Sequence, residues 1–560
     1  MCASNDTFTY PKTESWKIDG SDCCSWDGVE CNKLTGRVIG LHLGNDLFHG
    51  SPRAPNLAHN HFNYSPIPSE IGRLSRLTHL NLSTSFFSGP IPSNISQLSR
   101  LSLLDLSDYN DLSKLMLEKP DFGSLSHVPQ ILANFSSLKK LGLGFCGLFG
   151  DFPEDVIKLP NLQILILSSN EGLSGHLPEF NSSSPLQVLK LSFTYFSGQI
   201  PASIGDLGSL HTFSIRTCSF FGPIPTSFGN LKQLVYLDLS DNYFDGQNFS
   251  SLSWLAKKTS LTLLGLSGIS LGGEIPVYFA NLTQLHTLVL ENCRVTSQIP
   301  PWLAEMTVLT NLDLSSNQLK GPIPGLIFQL ENIRILDLSN NKLSGISAIV
   351  SKQPDSATEV NANVTRKFLA IGFASCNLNG FPHFLKDQNQ LQWLALSSNN
   401  IHGLIPEWLW NRSRDTLEII DLSDNFLVGF ELNPVVFPWS RARILNISHN
   451  ILQGPVPVPP TSTQIYDASD NNYTGEIPLV ICSLSSLYLL DLSRNNLNGM
   501  LPQCLGNFSV SLEWLSLGGN NFHGKIPQTH TIDCKSLEFL ILSNNKIIDV
   551  FPYWWEGFHS

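Results

Sequence analysis

Two short motifs in the chain have the residue types of a phosphoryl-transfer site. The stretch Gly142-Leu-Gly-Phe-Cys-Gly147 has the GxGxxG spacing of a phosphate-binding loop. The triplet Asp121-Phe-Gly123 matches the DFG sequence with which kinases hold Mg²⁺. In a kinase the glycine-rich loop precedes the DFG motif, whereas here it follows, and the chain has no VAIK or HRD element. We therefore predict that both motifs are structural, with Gly142 and Gly144 at exposed strand positions.

Other candidate chemistry is equally sparse. His59 and His61 have the spacing of a metal pair, but neither cysteines nor clustered carboxylates lie nearby in sequence, which favours a solvated loop. Aspartates recur inside the sequence LDLS, as part of a repeat, and are interpreted as polar cover for a sheet. No nucleophile–base pair is present. The sequence thus predicts a binding protein with no catalytic residue, no metal site and no cofactor.

The positions of these motifs follow from an internal repeat. The stretch that begins at Leu309 starts again at Ile333, 24 residues later, in the pattern LxxLxLxxNxLxGxIPxxxxxL. We find twenty copies, here called coils, and number positions from the first residue of each. They begin at Val38, Leu77, Leu101, Leu138, Leu162, Leu186, Leu210, Leu234, Leu261, Leu285, Leu309, Ile333, Phe368, Leu391, Leu417, Ala442, Thr463, Leu487, Leu512 and Leu537.

Each part of the pattern has a mechanical role. Alternating leucines predict a short strand with one buried face. The asparagine at position nine lies where the chain turns off the strand, and we expect its amide to bond the turn and the next coil. Glycine permits a bend, and Ile-Pro sets an extended segment outside any helix. One coil cannot bury its leucines alone, so stacked coils predict a single solenoid.

Composition agrees with a repeat protein and excludes other classes. Of 560 residues, 34 are Lys or Arg and 46 are Asp or Glu, a formal net charge of −12. A nucleic-acid-binding surface would be basic, so nucleic acid is excluded as a partner. Charged residues make up only 14% because Ser and Asn occupy the polar positions of the repeat. No apolar run is long enough for a transmembrane helix, and the first residues do not resemble a signal peptide.

The repeat and its flank resemble a known family. The LxGxIP pattern is similar to the plant-specific class of leucine-rich repeats, and Trp16 with the segment Cys23-Cys-Ser-Trp-Asp-Gly-Val-Glu-Cys31 resembles the N-terminal cap of plant receptors. Within that family the chain looks most like receptor-like proteins, the Cf-type cell-surface receptors without a kinase. The resemblance implies a right-handed α/β-type leucine-rich-repeat solenoid. Its long parallel β-sheet would line the concave face, with short 3-10 or helical segments on the convex side.

The repeat also sets the expected domain boundaries. Residues 1–37 would be a partial cysteine-containing cap, and residues 38–560 about twenty repeats with longer coils at 44–76, 110–137 and 345–367. We interpret the last of these as an elongated coil, although a recognition loop is the alternative. A C-terminal cap, a transmembrane helix and a cytoplasmic part would be missing, so truncation at both ends is expected.

Cysteines and glycosylation sequons extend the resemblance. Position nine carries cysteine instead of asparagine in four coils, which predicts buried thiols at Cys146, Cys218, Cys293 and Cys376. Disulfides are expected between Cys24 and Cys31, as in the family, and between Cys482 and Cys504, which would lie side by side on consecutive coils. Sequons away from the concave strands predict N-glycosylation at Asn63, Asn94, Asn134, Asn181, Asn248, Asn281, Asn363, Asn411, Asn472 and Asn507. Two further sequons, at Asn81 and Asn446, lie on the strands, where sugar would block a binding surface.

Ligand contacts are expected where exposed strand positions depart from the usual Asp and Ser. Two basic residues on adjacent coils, among aromatics, could hold a peptide carboxylate or an acidic sugar. The alternative is ordinary sequence drift on a solvated face. The candidate binding residues are Ile166, Lys190, Phe193, Tyr195, Arg216, Glu291 and Arg294. Trp393 and Trp514 also project from strands and are weaker candidates.

We therefore expect an extracellular recognition domain. By resemblance it would bind a peptide, protein or glycan and signal through partner receptor kinases at the plasma membrane, in defence or development. Three alternatives remain: the ectodomain of a receptor kinase, a secreted inhibitor of microbial cell-wall hydrolases, and a truncated gene product without function. The hydrolase inhibitors have about half as many coils, so length disfavours that alternative.

Overall fold

The computed structural model describes residues 29–31, 38–41, 57–58, 65–107 without 86 and 88, 130–347, 367–502 without 433, 511–527 and 537–550. The interiors of the three longer coils, His59, His61 and the DFG triplet lie outside these ranges. The chain divides into two compact units, Met1–Ser270 and Leu271–Ser560.

The first unit is built on a parallel sheet with one strand per coil. Each strand pairs with that of the next described coil without a register shift, for example Leu165 with Leu189. The strands are His79–Asn81, Leu103–Asp105, Lys140–Gly142, Ile164–Ile166, Val188–Lys190, Thr212–Ser214, Tyr236–Asp238 and Leu263–Gly265. An antiparallel pair, Val29–Cys31 with Val38–Leu41, precedes them.

The second unit repeats this design. Its strands pair in parallel and in register along the chain, so residues at the same coil position form rows across the sheet. The strands are Thr287–Val289, Asn311–Asp313, Ile335–Asp337, Ala370–Gly372, Trp393–Ala395, Ile419–Asp421, Ile444–Asn446, Ile465–Asp467, Leu489–Asp491, Trp514–Ser516 and Phe539–Ile541. The predicted leucine-rich-repeat solenoid is confirmed.

Leucines at positions one, four and six form the core. In the coil that begins at Leu162, this residue, Leu165 and Leu167 are fully buried. The residues between them point to the other side of the sheet, since successive side chains of a strand alternate. The sheet therefore has one face in the core and one open face. The open face carries positions three, five and seven.

The position-nine asparagine fastens each coil to its neighbour. The Asn317 side chain accepts hydrogen bonds from the backbone N–H groups of Cys293 (3.0 Å) and Val295 (2.9 Å) and donates to the carbonyl of Leu290 (2.7 Å). These partners belong to the preceding coil, so our expectation of bonds to the next coil was wrong. The reason is that the chain leaves the strand next to the backbone of the preceding coil, so the groups within reach of the amide belong to that coil.

The residue before that asparagine adopts a left-handed conformation. Position eight has φ of +55° at Ser316, +56° at Asn340 and +51° at Asp424, and most of the described coils repeat this value. A non-glycine residue in this region is held there by its surroundings. Where position nine is asparagine, its amide bonds this turn, as Asn317 does with the Leu314 carbonyl (3.0 Å). Coils with cysteine at position nine have the same conformation, with φ of +53° at Thr217 and +54° at Ser375, so the turn does not depend on the amide alone.

Shorter parallel strands follow the turn and stack beside the main sheet. In the first unit they are Phe149–Asp151, Asn170–His176, Thr194–Gly198, Ser219–Gly222 and Tyr243–Phe244. In the second unit they are Lys320–Ile323, Lys342–Ile346, His402–Ile405, Phe426–Phe430, Gln453–Gly454, Asn472–Gly475, Asn496–Leu497, His523–Gly524 and Lys546–Ile547.

Short helices close most coils, and the Ile-Pro proline fixes where many of them begin. Pro201 is extended (φ −65°, ψ 145°) and stands directly before a helix, as expected for a residue that cannot continue a helical bond pattern. The 3-10 helices are Ser69–Arg73, Ser93–Gln97, Gln130–Asn134, Ala202–Asp206, Thr226–Asn230, Phe249–Lys257, Val277–Asn281, Pro301–Glu305, Gly325–Gln329, His383–Asp387 and Leu479–Ser483. The α-helices are Glu154–Ile157 and Glu407–Arg412. None of the helices in the described ranges is long and apolar enough to span a membrane.

Candidate ligand-binding surface

The basic pair predicted in the first unit lies on neighbouring strands of the open face. Lys190 pairs in register with Ser214, and Arg216 follows two residues later. The Lys190 Nζ lies 5.7 Å from the centroid of the Tyr236 ring, and the Arg216 Nε lies 3.2 Å from the Asp241 Oδ2. Both cations therefore already have partners within the unit. An anionic ligand would have to compete with Asp241 for the guanidinium.

The pKa of Tyr236 shows which charges act near Lys190 and Arg216. Burial raises the pKa of its hydroxyl, and the Asp238 carboxylate raises it further, while a hydrogen bond with Ser214 and the Arg216 charge act in the opposite direction. The hydroxyls of Ser192 and Ser214 are hydrogen-bonded at 2.7 Å. The surface around the two cations is thus a connected polar network.

The other predicted contact residues are more scattered. Ile166 is the register partner of Lys190 and belongs to the same row. Phe193 lies in the turn and is 44% exposed. Tyr195 is 63% exposed and lies on Thr194–Gly198, one of the shorter strands that follow the turn, instead of on the open face.

Glu291 and Arg294 belong to the second unit, on either side of its first described turn. Glu291 is half-buried, and Arg294 is exposed with φ of +58°. Their part in binding, like that of the residues in the first unit, stays a prediction.

The open face of the second unit contains a row that the sequence pattern did not bring out. Position three is apolar on nine consecutive strands, and all but the last of these side chains are half-buried. They are Ile335, Ala370, Trp393, Ile419, Ile444, Ile465, Leu489, Trp514 and Phe539. Aligning position three across the coils would have revealed this row. Within single coils only its two tryptophans stand out.

Carboxylates form a second row beside it, at position five. Asp467 accepts from the backbone N–H (3.0 Å) and the hydroxyl (2.7 Å) of Ser469 through one oxygen, Oδ1. Asp313 and Asp421 repeat this arrangement with their own serines. The aspartates of LDLS therefore anchor the strand end with Oδ1. We predicted only that these aspartates cover the sheet with polar groups. Their hydrogen bonds add a structural role that this prediction did not include.

Glycines at position five make room for these carboxylates. A Cβ on Gly142 would lie 2.5 Å from the Asp105 Oδ1, and Gly265 and Gly372 face Asp238 and Asp337 in the same way. Gly142 and Gly144 are buried, so the prediction that both are exposed was wrong. Packing against neighbouring coils explains both glycines, because a Cβ on Gly144 would lie 3.3 Å from the Ser168 carbonyl oxygen of the following coil. Within the described residues, no group of three or more His, Cys, Asp or Glu could hold a metal ion.

The four position-nine cysteines are buried thiols, as predicted. The Cys218 Sγ donates to the Leu191 carbonyl at 3.2 Å, and the Cys376 Sγ donates to Leu338 at 3.4 Å, which copies the donor half of the asparagine ladder. Burial raises the pKa of Cys376 to about 12. These thiols are structural donors.

Cys482 is disulfide-bonded. Cys504 lies outside the described residues, as do Cys24 and the side chain of Cys31. The pairing of Cys482 with Cys504 and that of Cys24 with Cys31 therefore stay predictions.

Seven of the ten predicted sequons lie in the described ranges, and all seven asparagines are exposed: Asn94, Asn134, Asn181, Asn248, Asn281, Asn411 and Asn472. Asn63, Asn363 and Asn507 lie outside those ranges. Asn248 also caps the helix Phe249–Lys257 by accepting from the backbone N–H of Ser251. Glycosylation stays a prediction at every one of these sites.

Family models match several segments of the chain. A leucine rich repeat N-terminal domain matches residues 5–32, and leucine rich repeat models match residues 283–343, 76–98, 233–255, 390–411 and 486–508. These matches agree with the stacked, in-register coils. The chain is built from leucine-rich repeats.

The chain is also similar to curated proteins of a plant. It is similar to Receptor-like protein 6 of Arabidopsis thaliana, with 34% identity over 89% of the chain and 57% of the relative. The similarity to Receptor-like protein 7 of the same plant is also 34%, over 89% of the chain and 58% of the relative. The chain thus spans little more than half the length of these relatives.

Solved structures with the same fold include two complexes. The ectodomain of the Arabidopsis thaliana membrane receptor kinase GASSHO1/SCHENGEN3, in complex with CASPARIAN STRIP INTEGRITY FACTOR 2, superposes with a TM-score of 0.63 at 29% identity, over 96% of this leucine-rich-repeat chain and 59% of that one. The PEPR1–AtPEP1 complex gives a TM-score of 0.53 at 26% identity, over 98% and 78%.

Proposed function

We propose that the chain is the ligand-recognising extracellular part of a plant receptor-like protein. It binds a peptide, protein or glycan on the open face of its sheet and works by binding, without catalysis. The full-length protein sits at the plasma membrane and signals through partner receptor kinases in defence or development.

The observation that carries this proposal is that some positions of each coil form the core while others form the open face. Positions one, four and six hold the fold with apolar side chains in nearly every coil, whereas positions three and five of the open face vary in charge and polarity, from Lys190 and Ile166 in one unit to Trp514 and Asp467 in the other. Side chains held in rows on a rigid sheet are pre-organised, which lowers the entropic cost of binding.

Two further observations support the extracellular assignment. A disulfide at Cys482 requires an oxidising compartment. The curated relatives are receptor-like proteins, and the similar structures include receptor ectodomains solved with bound partners.

The proposal is tested by the secreted chain immobilised and exposed to plant extracellular fluid and to microbial culture filtrate, with retained species identified by mass spectrometry. Open-face variants Lys190→Glu, Arg216→Glu, Trp393→Ala and Trp514→Ala probe both units. Val277→Ser and Leu479→Ser, at helix positions 72% and 71% exposed, are the controls. We expect at least one open-face variant to lose a species that both controls keep. If every open-face variant retained the same species as the wild-type chain, the proposal would be contradicted.

The ectodomain of a receptor kinase is the second candidate, because the GASSHO1/SCHENGEN3 structure is that of a receptor kinase. Both candidates use the same binding surface, and they differ in the domains that the full-length protein carries after the repeats. The full-length transcript decides between them, since a kinase reading frame downstream would replace the first candidate with the second.

A further inference from the structure

The last four strands of the second unit present an apolar strip on the open face. Ile465, Leu489, Trp514 and Phe539 are register neighbours at position three, each on its own strand. The Trp514 and Phe539 rings lie 4.6 Å apart, centroid to centroid, at an interplanar angle of 35°. Ile465, Leu489 and Trp514 are half-buried, although each of their strands has a paired neighbour on both sides. The strip offers contact area to a partner instead of completing the core.

Carboxylates border this strip on both sides. Asp467 and Asp491 pair in register at position five, so their side chains stand on adjacent strands about 4.8 Å apart. Glu513 and Glu538 directly precede the strands that carry the two aromatic rings. We call the strip together with these four carboxylates the acidic face.

None of the four carboxylates lies in an ion pair with a cation of the described residues, although the His449 charge acts on Asp467. Asp105, at the same coil position, lies 2.7 Å from the Lys140 Nζ, whereas the register pair of Asp313 and Asp337 has no such partner among the described residues. The apolar strip and the two glutamates are therefore what distinguish the surroundings of Asp467 and Asp491.

The pKa values of groups in this region also show the effect of these negative charges. Burial raises the pKa of Asp467, and the neighbouring Asp491 raises it further, against the lowering effects of Ser469 and His449. A hydrogen bond to Glu513 raises the pKa of the Tyr488 hydroxyl, and the charges of Glu513 and Glu538 act in the same direction. A cation bound here would relieve this repulsion.

We propose that the acidic face binds a peptide segment in which basic and apolar side chains alternate. This inference rests on the proposed function and names its ligand class. Apolar side chains pack on Leu489 and Trp514, and an ammonium or guanidinium group lies between Asp467 and Asp491. Aromatic faces add attraction for the same cation. Phosphate-bearing ligands such as nucleic acids and anionic membranes are repelled by the four carboxylates.

The test uses a short synthetic peptide in which lysine and leucine alternate, and a second peptide with glutamate in place of lysine. The double variant Glu513→Gln with Glu538→Gln removes two charges from the acidic face. The matched control, Glu305→Gln with Glu476→Gln, removes two exposed charges of the same unit from outside the acidic face. Trp514→Ala removes the aromatic ring on which the apolar side chains of the peptide would pack, and Trp514→Phe preserves an aromatic ring at this position. Unchanged circular dichroism and melting temperature show that each variant folds.

We expect the wild-type chain to bind the lysine peptide and not the glutamate peptide. The face double variant should weaken binding about threefold to tenfold, because exposed charge pairs contribute modestly, while the control double variant leaves Kd unchanged. Trp514→Ala should weaken binding about tenfold or more, and Trp514→Phe less. Equal weakening by both double variants, or none by either, would overturn the proposal.

The failure of this inference and that of the proposed function are distinguishable. A species retained from extracellular fluid that is lost with Trp514→Ala, but unaffected by the face double variant, overturns the cationic class and leaves the proposed function standing. Retention that no open-face variant alters removes the proposed function itself, whatever the synthetic peptide does.

Discussion

The side chain of Asn317 accepts a hydrogen bond from the backbone N–H of Cys293 in the preceding coil, at 3.0 Å. The same amide also bonds Val295, Leu290 and Leu314, so one buried residue satisfies backbone groups of two coils. These hydrogen bonds therefore stabilise the stacking of the coils alongside the buried leucines. Removing one such amide should cost the fold more than a single hydrogen bond.

Asn317→Ala should lower the free energy of unfolding by about 3 kcal/mol, because it leaves several buried backbone groups without partners. Asn317→Cys should cost less, since the thiol of Cys376 shows that sulfur can donate to the carbonyl of the preceding coil. Urea unfolding followed by circular dichroism measures both. Equal losses for the two variants would show that the donor bond contributes nothing.

The buried thiols should resist alkylation in the native protein. Burial disfavours the thiolate, so at any pH below about 12 Cys376 stays protonated while the chain is folded. Iodoacetamide labelling between pH 6 and pH 9 (roughly neutral to the ordinary thiol range) should be negligible at Cys376 and Cys218 natively. In urea the labelling should rise steeply with pH. Native labelling at either peptide, read by mass spectrometry, would contradict this account.

Sugar should be absent from the open face. The Asn446 Oδ1 accepts from the backbone N–H (3.1 Å) and hydroxyl (2.7 Å) of Ser448, and Asn81 accepts likewise from the backbone N–H of Ser83. Glycopeptide mapping of the secreted chain should find glycans at exposed sequons such as Asn94 and not at these two. An occupied Asn446 would place a glycan one strand away from the acidic face and weigh against binding there.

Gly142→Ala should destabilise the first unit by about 1–3 kcal/mol, the usual cost of overpacking. Its new Cβ would press on the Asp105 carboxylate, which is paired with Lys140. Gly208→Ala is the control, because its Cβ would meet open space. Thermal unfolding compares them, and a neutral Gly142→Ala would mean that the glycine is not needed for packing.

Binding of the lysine peptide should weaken as pH falls. The raised pKa of Asp467 means that this carboxylate gains its proton, and loses its charge, at a higher pH than an ordinary aspartate. The attraction is complete well above that pKa and is lost on acidification through it. Titration calorimetry across the acidic range, with Asp467→Ser as the comparison, should show a smaller pH effect in the variant. An identical pH profile would remove Asp467 from the site.

The sequence predicted the solenoid because leucine spacing, asparagine and Ile-Pro each have a local mechanical meaning. It also predicted the buried thiols, since Cys218 stands at a position whose neighbours define its surroundings. It could not predict the partners of Lys190 and Arg216, because Tyr236 lies two coils after Lys190, Asp241 lies one coil after Arg216, and both contacts depend on side-chain geometry. The apolar row ending at Phe539 could have been found by comparing position three of the coils, and the strand register shows that these residues are neighbours.

The most direct test of the central claim, that the ligand lies on the open face, is oxidative footprinting of the secreted chain with and without a retained ligand. Trp393 and Trp514 report on the open face, and Trp254 and Trp410 are buried on the helical side. The account predicts that the ligand lowers the oxidation rate of at least one residue on an open face, Trp514 first. Protection confined to the helices, with Trp393, Trp514 and the Lys190 strand unchanged, would contradict it.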